Sequence, residues 1–242
     1  MNLSGRSAVV TGGGSGIGAA IALAFAAEGA EVMIAGRSAE KLAAVVEDAE
    51  HGIVIPFPCD VADRGQASNL IAHATERFGK VDILVNAAGV NMPKRMMADL
   101  APADWDRLMA INATGTFNTI HAVLPQMRCR KDGVIINVNS TSGVRAGMLG
   151  GVAYNASKFA VSALTHSVAQ EVKDEGIRLT NLCPGEVDTP ILEHRPTPVS
   201  DEHRAKILQP EDIAAVALTI ALLPPRANVV EVVVKPTIQA FV

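Results

Sequence analysis

Apolar residues fall into short unbroken runs separated by longer amphipathic stretches, and the two kinds alternate along the chain. Ser7 to Thr11 is the first such run, of the length and β-branched character of a strand buried on both faces. Gly12, Gly13 and Gly14 interrupt it, and Ile17, Ile21, Ala24 and Phe25 then recur at helical spacing from about Gly16 until Glu28-Gly29. By the same reading, further strands cover Glu31 to Ala35, Gly52 to Pro58, Val81 to Asn86, Gly133 to Asn139, Ile177 to Leu182 and Val229 to Val234. Helices cover Ser38 to Glu50, Asp63 to Phe78, Pro102 to about Arg130, the region of Tyr154 to about Glu175, and Glu211 to Leu223. Pro190 to Leu208 carries Pro, His, Arg, Asp and Glu with little periodicity and reads as an irregular flap.

Strands alternating with helices predict an α/β fold: a seven-stranded parallel sheet, doubly wound, with right-handed crossovers and helices on both faces. At 242 residues and 49% hydrophobic content the chain can bury a sizeable core, and residues 1–242 read as a single domain. Ligands of such a sheet bind at the carboxyl ends of its strands, where the strand order reverses. Thr11, Arg37, Asp60, Asn86, Ser140 and Pro184 all fall at or just past predicted strand ends.

A net charge of -4 with Lys and Arg spread along the chain argues against a nucleic-acid surface and for small-molecule partners. Cys59, Cys129 and Cys183 are odd in number and far apart, so three buried free thiols in a reducing compartment are expected. The chain opens straight into a strand, with no signal peptide and no apolar run near the ~20 residues of a membrane span, which makes the cytoplasm the expected location. The six histidines show no metal-ligand spacing, and no metal is expected.

Two stretches carry chemistry. Gly12, Gly13, Gly14, Ser15, Gly16, Ile17 and Gly18 join a strand to a helix N-terminus, so backbone N–H groups can close on a pyrophosphate. Tyr154 and Lys158 stand four apart and would share one helix face. A phenol that exchanges protons near neutrality must lose about 3 to 4 kcal/mol of its preference for the neutral form. A positive charge ~4 Å away supplies ~4 kcal/mol at an effective dielectric of ~20. Lys158 is thus expected to lower the pKa of Tyr154.

With Thr11-Gly12-x-x-x-Gly16-x-Gly18, Asn86-Ala87-Ala88-Gly89, Asn112, Ser140, Tyr154-x-x-x-Lys158 and Pro184-Gly185, the chain resembles the classical short-chain dehydrogenase/reductase family over nearly its whole length. The resemblance implies a Rossmann-type domain exchanging hydride between a nicotinamide and a secondary alcohol/carbonyl pair. It implies that Tyr154 moves the proton, Ser140 stabilises the oxygen with Ser142 as runner-up, Lys158 also holds the nicotinamide ribose, and Asn112 positions a water linking Lys158 to solvent. Gly12, Gly14, Ser15, Gly16, Ile17 and Gly18 would line the cofactor, Asp60 and Val61 would flank its adenine, and Asn86, Ala87, Ala88 and Gly89, counted with the cofactor-binding set, would support strand four beside it. Pro184, Gly185, Val187 and Thr189 would lie at the nicotinamide, with Thr189 on its amide. A homotetramer or homodimer is implied, packed through the long helices around Asn112 and Tyr154.

At the end of strand two, where an acid would repel a 2′-phosphate, the chain has Gly36-Arg37-Ser38, which favours NADP(H) over NAD(H). An NAD-dependent alcohol dehydrogenase and a non-catalytic dinucleotide-binding regulator are the alternatives. The family's frequent second asparagine is replaced by Ala87, and the ending Val229 to Thr237 resembles a branch that includes dehydrogenases of 3-hydroxy acids and hydroxy amino acids. Ser142, Met148, Leu149 and Glu186 are expected to wall a small or medium substrate, with Arg145, His194 and Arg195 as candidate carboxylate partners.

Overall fold

The computed structural model describes residues 2–240. Among them the apolar runs form β1 (Ser7–Thr11), β2 (Glu31–Gly36), β3 (Ile53–Pro58), β4 (Ile83–Asn86), β5 (Gly133–Val138), β6 (Ile177–Pro184) and β7 (Glu231–Val234). All pair in parallel, in the order β3-β2-β1-β4-β5-β6-β7. The helices are α1 (Gly16–Ala27), α2 (Ala39–Glu47), α3 (Arg64–Phe78), α4 (Pro102–Leu108), α5 (Gly115–Arg130), α6 (Val152–Glu171), α7 (Asp201–Arg204) and α8 (Pro210–Leu222).

Successive strand residues point to opposite faces, and each face has its own core. Ala8, Val10, Val32 and Ile34 join Ile21, Phe25, Leu42 and Ile213 on one side. Val9, Met33 and Ala35 join Leu70, Ile120 and Met127 on the other. The strands read as unbroken apolar runs because helices cover both faces. Strand order reverses between β1 and β4, whose last residues, Thr11 and Asn86, are register partners. A crevice at their carboxyl ends follows from that reversal.

Several boundaries differ from expectation. Val81 lies outside β4 because its N–H is taken by the Gln126 side chain at 3.0 Å. The predicted helix from Pro102 to Arg130 is broken by a π-helical turn over Met109–Thr114. The wide turn lets the Asn112 amide meet Val90, while Gly115 closes on Val61, where a Cβ would stand 2.6 Å from Val61 Cγ2. The flap is not wholly irregular: Pro190–His194 makes a 3₁₀ turn, and Ser200 caps α7. Both pieces are too short for a helical period to show in the sequence. Cys129 is exposed, and only Cys59 and Cys183 are buried. Among the described residues no helix is long and apolar enough to cross a membrane.

Candidate active site

The carboxyl ends of the central strands open on a cleft with two adjoining parts, a cavity of about 480 Å³ and a smaller one of about 240 Å³. Gly12, Ser15, Lys41, Gly89 and Val90 line both and join them. The smaller part holds Gly14, Arg37, Ser38, Asp60, Val61 and Ala88. The glycine turn continues into the larger part through Gly16, Ile17 and Gly18, facing Ala87. Its far end holds Ser140, Ser142, Tyr154 and Lys158, with Pro184, Gly185, Val187 and Thr189 along one side.

The glycine turn is tight enough to explain its composition. Gly12 has φ +66°, and a Cβ there would sit 2.7 Å from the Ala87 backbone; one on Gly18 would sit 2.3 Å from Gly12 O. Neither position admits a side chain without moving backbone. A Cβ on Gly16 would approach Thr189 Cγ2 at 3.0 Å, so the first turn of α1 and the post-β6 loop face each other across the cleft.

Helix α6 carries Tyr154 and Lys158 into the cleft beside the end of β5. Lys158 is buried, its Nζ donates to Val138 O at 3.1 Å, and burial lowers its pKa to about 8. The phenol of half-buried Tyr154 is pushed above its usual value by burial, offset in part by the Ser140 hydroxyl and the Arg95 guanidinium. The Lys158 ammonium stands over the Tyr154 ring, 5.6 Å from its centroid, and its hydrogen bond goes to Val138 O, so the two side chains share one face of α6 as their spacing predicts without a hydrogen bond between them. Asn112 is buried, with Oδ1 accepting from Val90 N at 2.9 Å and Nδ2 donating to Ser157 Oγ at 3.0 Å. Asn112 Oδ1 and Lys158 Nζ both lie within 4 Å of where a Cβ on Gly89 would stand, so the absence of that side chain leaves the space between them open.

Below about pH 8 the Lys158 amine is protonated in folded and unfolded chains alike, and burying the charge costs stability in full. Between about 8 and 10.5 only the unfolded chain holds that proton, so stability rises with pH. Relative to Lys158→Met, the wild type should gain about 3 kcal/mol across this window. Chemical denaturation of both proteins at pH 7.5 and 10.5 reads it; a flat difference would contradict the buried, destabilised charge.

Two residues lie elsewhere than expected. Asn86 does not reach the cleft: Nδ2 donates to Asn137 Oδ1 at 2.9 Å and Oδ1 accepts from Thr119, so it braces β4 from within the core. Met148 is 80% exposed and lies off the cavity wall, whereas Leu149 lines it. Glu186 lines the cavity, where Arg195 holds one of its oxygens at 2.5 Å and His203 the other at 2.8 Å. Burial alone would raise its pKa, and the bonds from His203 and Arg195 outweigh that and lower it. The pairing thus exists above the ordinary Glu range and is lost as pH falls through the depressed value.

Arg195 and His203 both belong to the segment 190–208, so Glu186 fastens that segment to the end of β6. Glu186→Gln should loosen it, giving about tenfold faster limited proteolysis within 190–208 at neutral pH. An unchanged cleavage rate would show that other contacts hold the flap.

A family model described as short chain dehydrogenase matches residues 6–199. The chain belongs to this family. It is 37% identical over 234 residues to an uncharacterized oxidoreductase of Staphylococcus aureus (strain MW2), covering 97% of this chain and 98% of the relative. Among solved structures it is similar to a metagenomic short-chain oxidoreductase in complex with NADP, with TM-score 0.84, 33% identity and 98% and 99% of the two chains covered. It is also similar to an alcohol dehydrogenase of the archaeon Thermococcus sibiricus complexed with 5-hydroxy-NADP, with TM-score 0.87, 28% identity and 97% and 98% covered. The enzyme is an NAD(P)-dependent short-chain oxidoreductase acting on a small molecule.

The cleft of this dehydrogenase fits a dinucleotide on its own features. The glycine turn puts backbone without side chains at the N-terminus of α1, where an anion is favoured, and the two cavities run on from there in both directions. Two cationic lining residues were missed in the sequence. Lys41, one turn into α2, adds a second cation beside Arg37; its periodic place on a surface helix gave no signal. Arg95, in an unpatterned loop, is buried at the larger cavity near Tyr154.

Proposed function

We propose that the enzyme is an NADP(H)-dependent oxidoreductase of a small or medium secondary alcohol and its carbonyl, built as one domain over residues 1–242 with 190–208 as a flap. The observation that carries this is one continuous cleft with Arg37, Ser38 and Lys41 at one end and Tyr154, Ser140 and Lys158 at the other. Bound NADP(H) supplies or accepts the hydride. Arg37 and Lys41 hold the 2′-phosphate, Arg37 with the planar fork that suits it, and no acid at the end of β2 opposes them. The two solved relatives whose structures contain NADP or a derivative of it support that preference.

In the reducing direction Tyr154 gives its hydroxyl proton to the oxygen of the carbonyl as that oxygen gains charge. Ser140 donates a hydrogen bond to the same oxygen. The raised pKa of Tyr154 keeps the phenol protonated and ready to give. Lys158 holds the nicotinamide ribose, and Asn112 keeps Val90 and Ser157 in place and positions a water on the path from Lys158 to solvent. Oxidation reverses the proton transfer and so needs the phenolate, which places its optimum on the alkaline side of reduction.

We place the enzyme in the cytoplasm, a reading supported by three free thiols. We propose that copies pair through their long helices, because Phe117 of α5 and Val152 and Phe159 of α6 are exposed. Following NADPH absorbance with a panel of ketones and aldehydes tests the reaction. Turnover of a member is expected, and none with any member by protein that binds NADPH would contradict it.

A further inference from the structure

Among the described residues, no anion answers the charge of Arg95. It is 6% exposed, and its guanidinium donates to Met92 O at 2.9 Å, Leu149 O at 2.6 Å and His194 O at 2.6 Å. These carbonyls belong to three walls of the larger cavity: the loop after β4, the loop before α6 and the flap. Three of the five guanidinium N–H groups are thereby used, and two remain without a partner.

Carbonyls satisfy hydrogen bonds without cancelling a charge, and a buried cation is ordinarily paired with an anion. Among the described residues Arg95 forms no ion pair. The nearby acids are engaged elsewhere: Glu186 by Arg195 and His203, Asp188 by Arg204. Glu193, which also lines the cavity, is exposed and not within ion-pair distance. Tyr154 is held protonated by burial and supplies no anion either. Arg145 adds positive charge to the same wall.

Arg145, His194 and Arg195 are less suited to meeting a carboxylate. Arg195 is already neutralised by Glu186, Arg145 is exposed, and His194 offers Arg95 its backbone carbonyl. Arg95 differs from all three in being buried, rigidly held and uncompensated at the reacting end of the cleft. A planar carboxylate matches two free N–H groups of a guanidinium.

We propose that Arg95 reads a carboxylate on the substrate, so that the pair interconverted is a short hydroxy acid and its oxo acid. This rests on the oxidoreductase reading above and narrows it. The three carbonyl anchors hold the guanidinium still, so the acid group fixes where the carbonyl lies against Tyr154 and Ser140.

The test compares 3-oxobutanoate with its methyl ester as substrates of the wild-type enzyme with NADPH. The acid is expected to show about tenfold or greater advantage in kcat/KM, expressed in KM. Arg95→Gln should cut the acid-to-ester selectivity by about tenfold to a hundredfold, and Arg95→Lys should restore part of it. No preference for the acid in the wild type, or a selectivity unchanged in Arg95→Gln, overturns the assignment. Because Arg95 ties three loops, the glutamine variant could fail to fold, and the wild type then decides alone. Butanoate should inhibit ester reduction competitively and butanamide should not; equal or absent inhibition by both overturns the proposal. Failure of the oxidoreductase reading looks different, as no turnover of acid or ester by protein that binds NADPH. Calorimetric titration of butanoate and butanamide into the NADPH-loaded protein still judges Arg95 in that case: selective binding of butanoate upholds it, and no selectivity overturns it.

Discussion

Tyr154→Phe is expected to remove turnover in both directions while NADPH affinity stays within about threefold of wild type. General acid catalysis contributes about 10²- to 10⁴-fold, and the loss should reach at least that range in kcat. The substitution keeps the ring that Lys158 faces at 5.6 Å and deletes only the hydroxyl that Ser140 accompanies. The cleft, the glycine turn and the cations at its far end are untouched. Because burial raises the phenol's pKa, reduction by the wild type should hold through neutral pH and decline only in the alkaline range, while oxidation rises there. Substantial residual activity in Tyr154→Phe, with bound NADPH confirmed, would remove Tyr154 as the proton donor.

Arg37→Ala should weaken NADPH by about tenfold to a hundredfold and NADH by less than about threefold. The side chain is exposed at the end of β2, so the effect should shrink as salt rises. Lys41→Ala should act in the same sense, since both cations line the smaller cavity. Equal weakening of both cofactors in Arg37→Ala, read by fluorescence titration, would mean that Arg37 supports the loop and does not read a phosphate.

Much of the fold was legible because its strands are buried on both faces and bounded by strong turn residues. Ser7 to Thr11 was read to the residue, since Gly12 ends it by geometry. Ser38 and Asp63 lie outside their helices as caps, accepting from Lys41 N and Gln66 N. The π turn at Met109–Thr114 was not legible, because it answers to Val90, Val61 and Ser157, all distant in sequence. Asn86 looked like a ligand contact from its place at a strand end, and only the bonds to Asn137 and Thr119 show it turned inward. Arg95 gave no signal, since its burial depends on carbonyls from Leu149 and His194, 54 and 99 residues away.

The electrostatics of the site were the least legible part. A spacing of four residues put Tyr154 and Lys158 on one helix, as expected. It could not show that the ammonium bonds Val138 O or that the Arg95 guanidinium also acts on the phenol. Distance and burial, neither encoded in local spacing, decide which charge prevails.

The most direct test of an NADP(H)-dependent enzyme is a thermal-melt titration of the wild-type protein with NADPH and NADH in parallel. Ligand at ~100 times its dissociation constant adds about 2.7 kcal/mol of stability, a shift well within reach of the method. Stabilisation by NADPH at a concentration at least about tenfold lower than NADH requires is the expected result. Equal or stronger stabilisation by NADH would contradict the role given to Arg37 and Lys41, and no response to either would contradict the cofactor cleft itself.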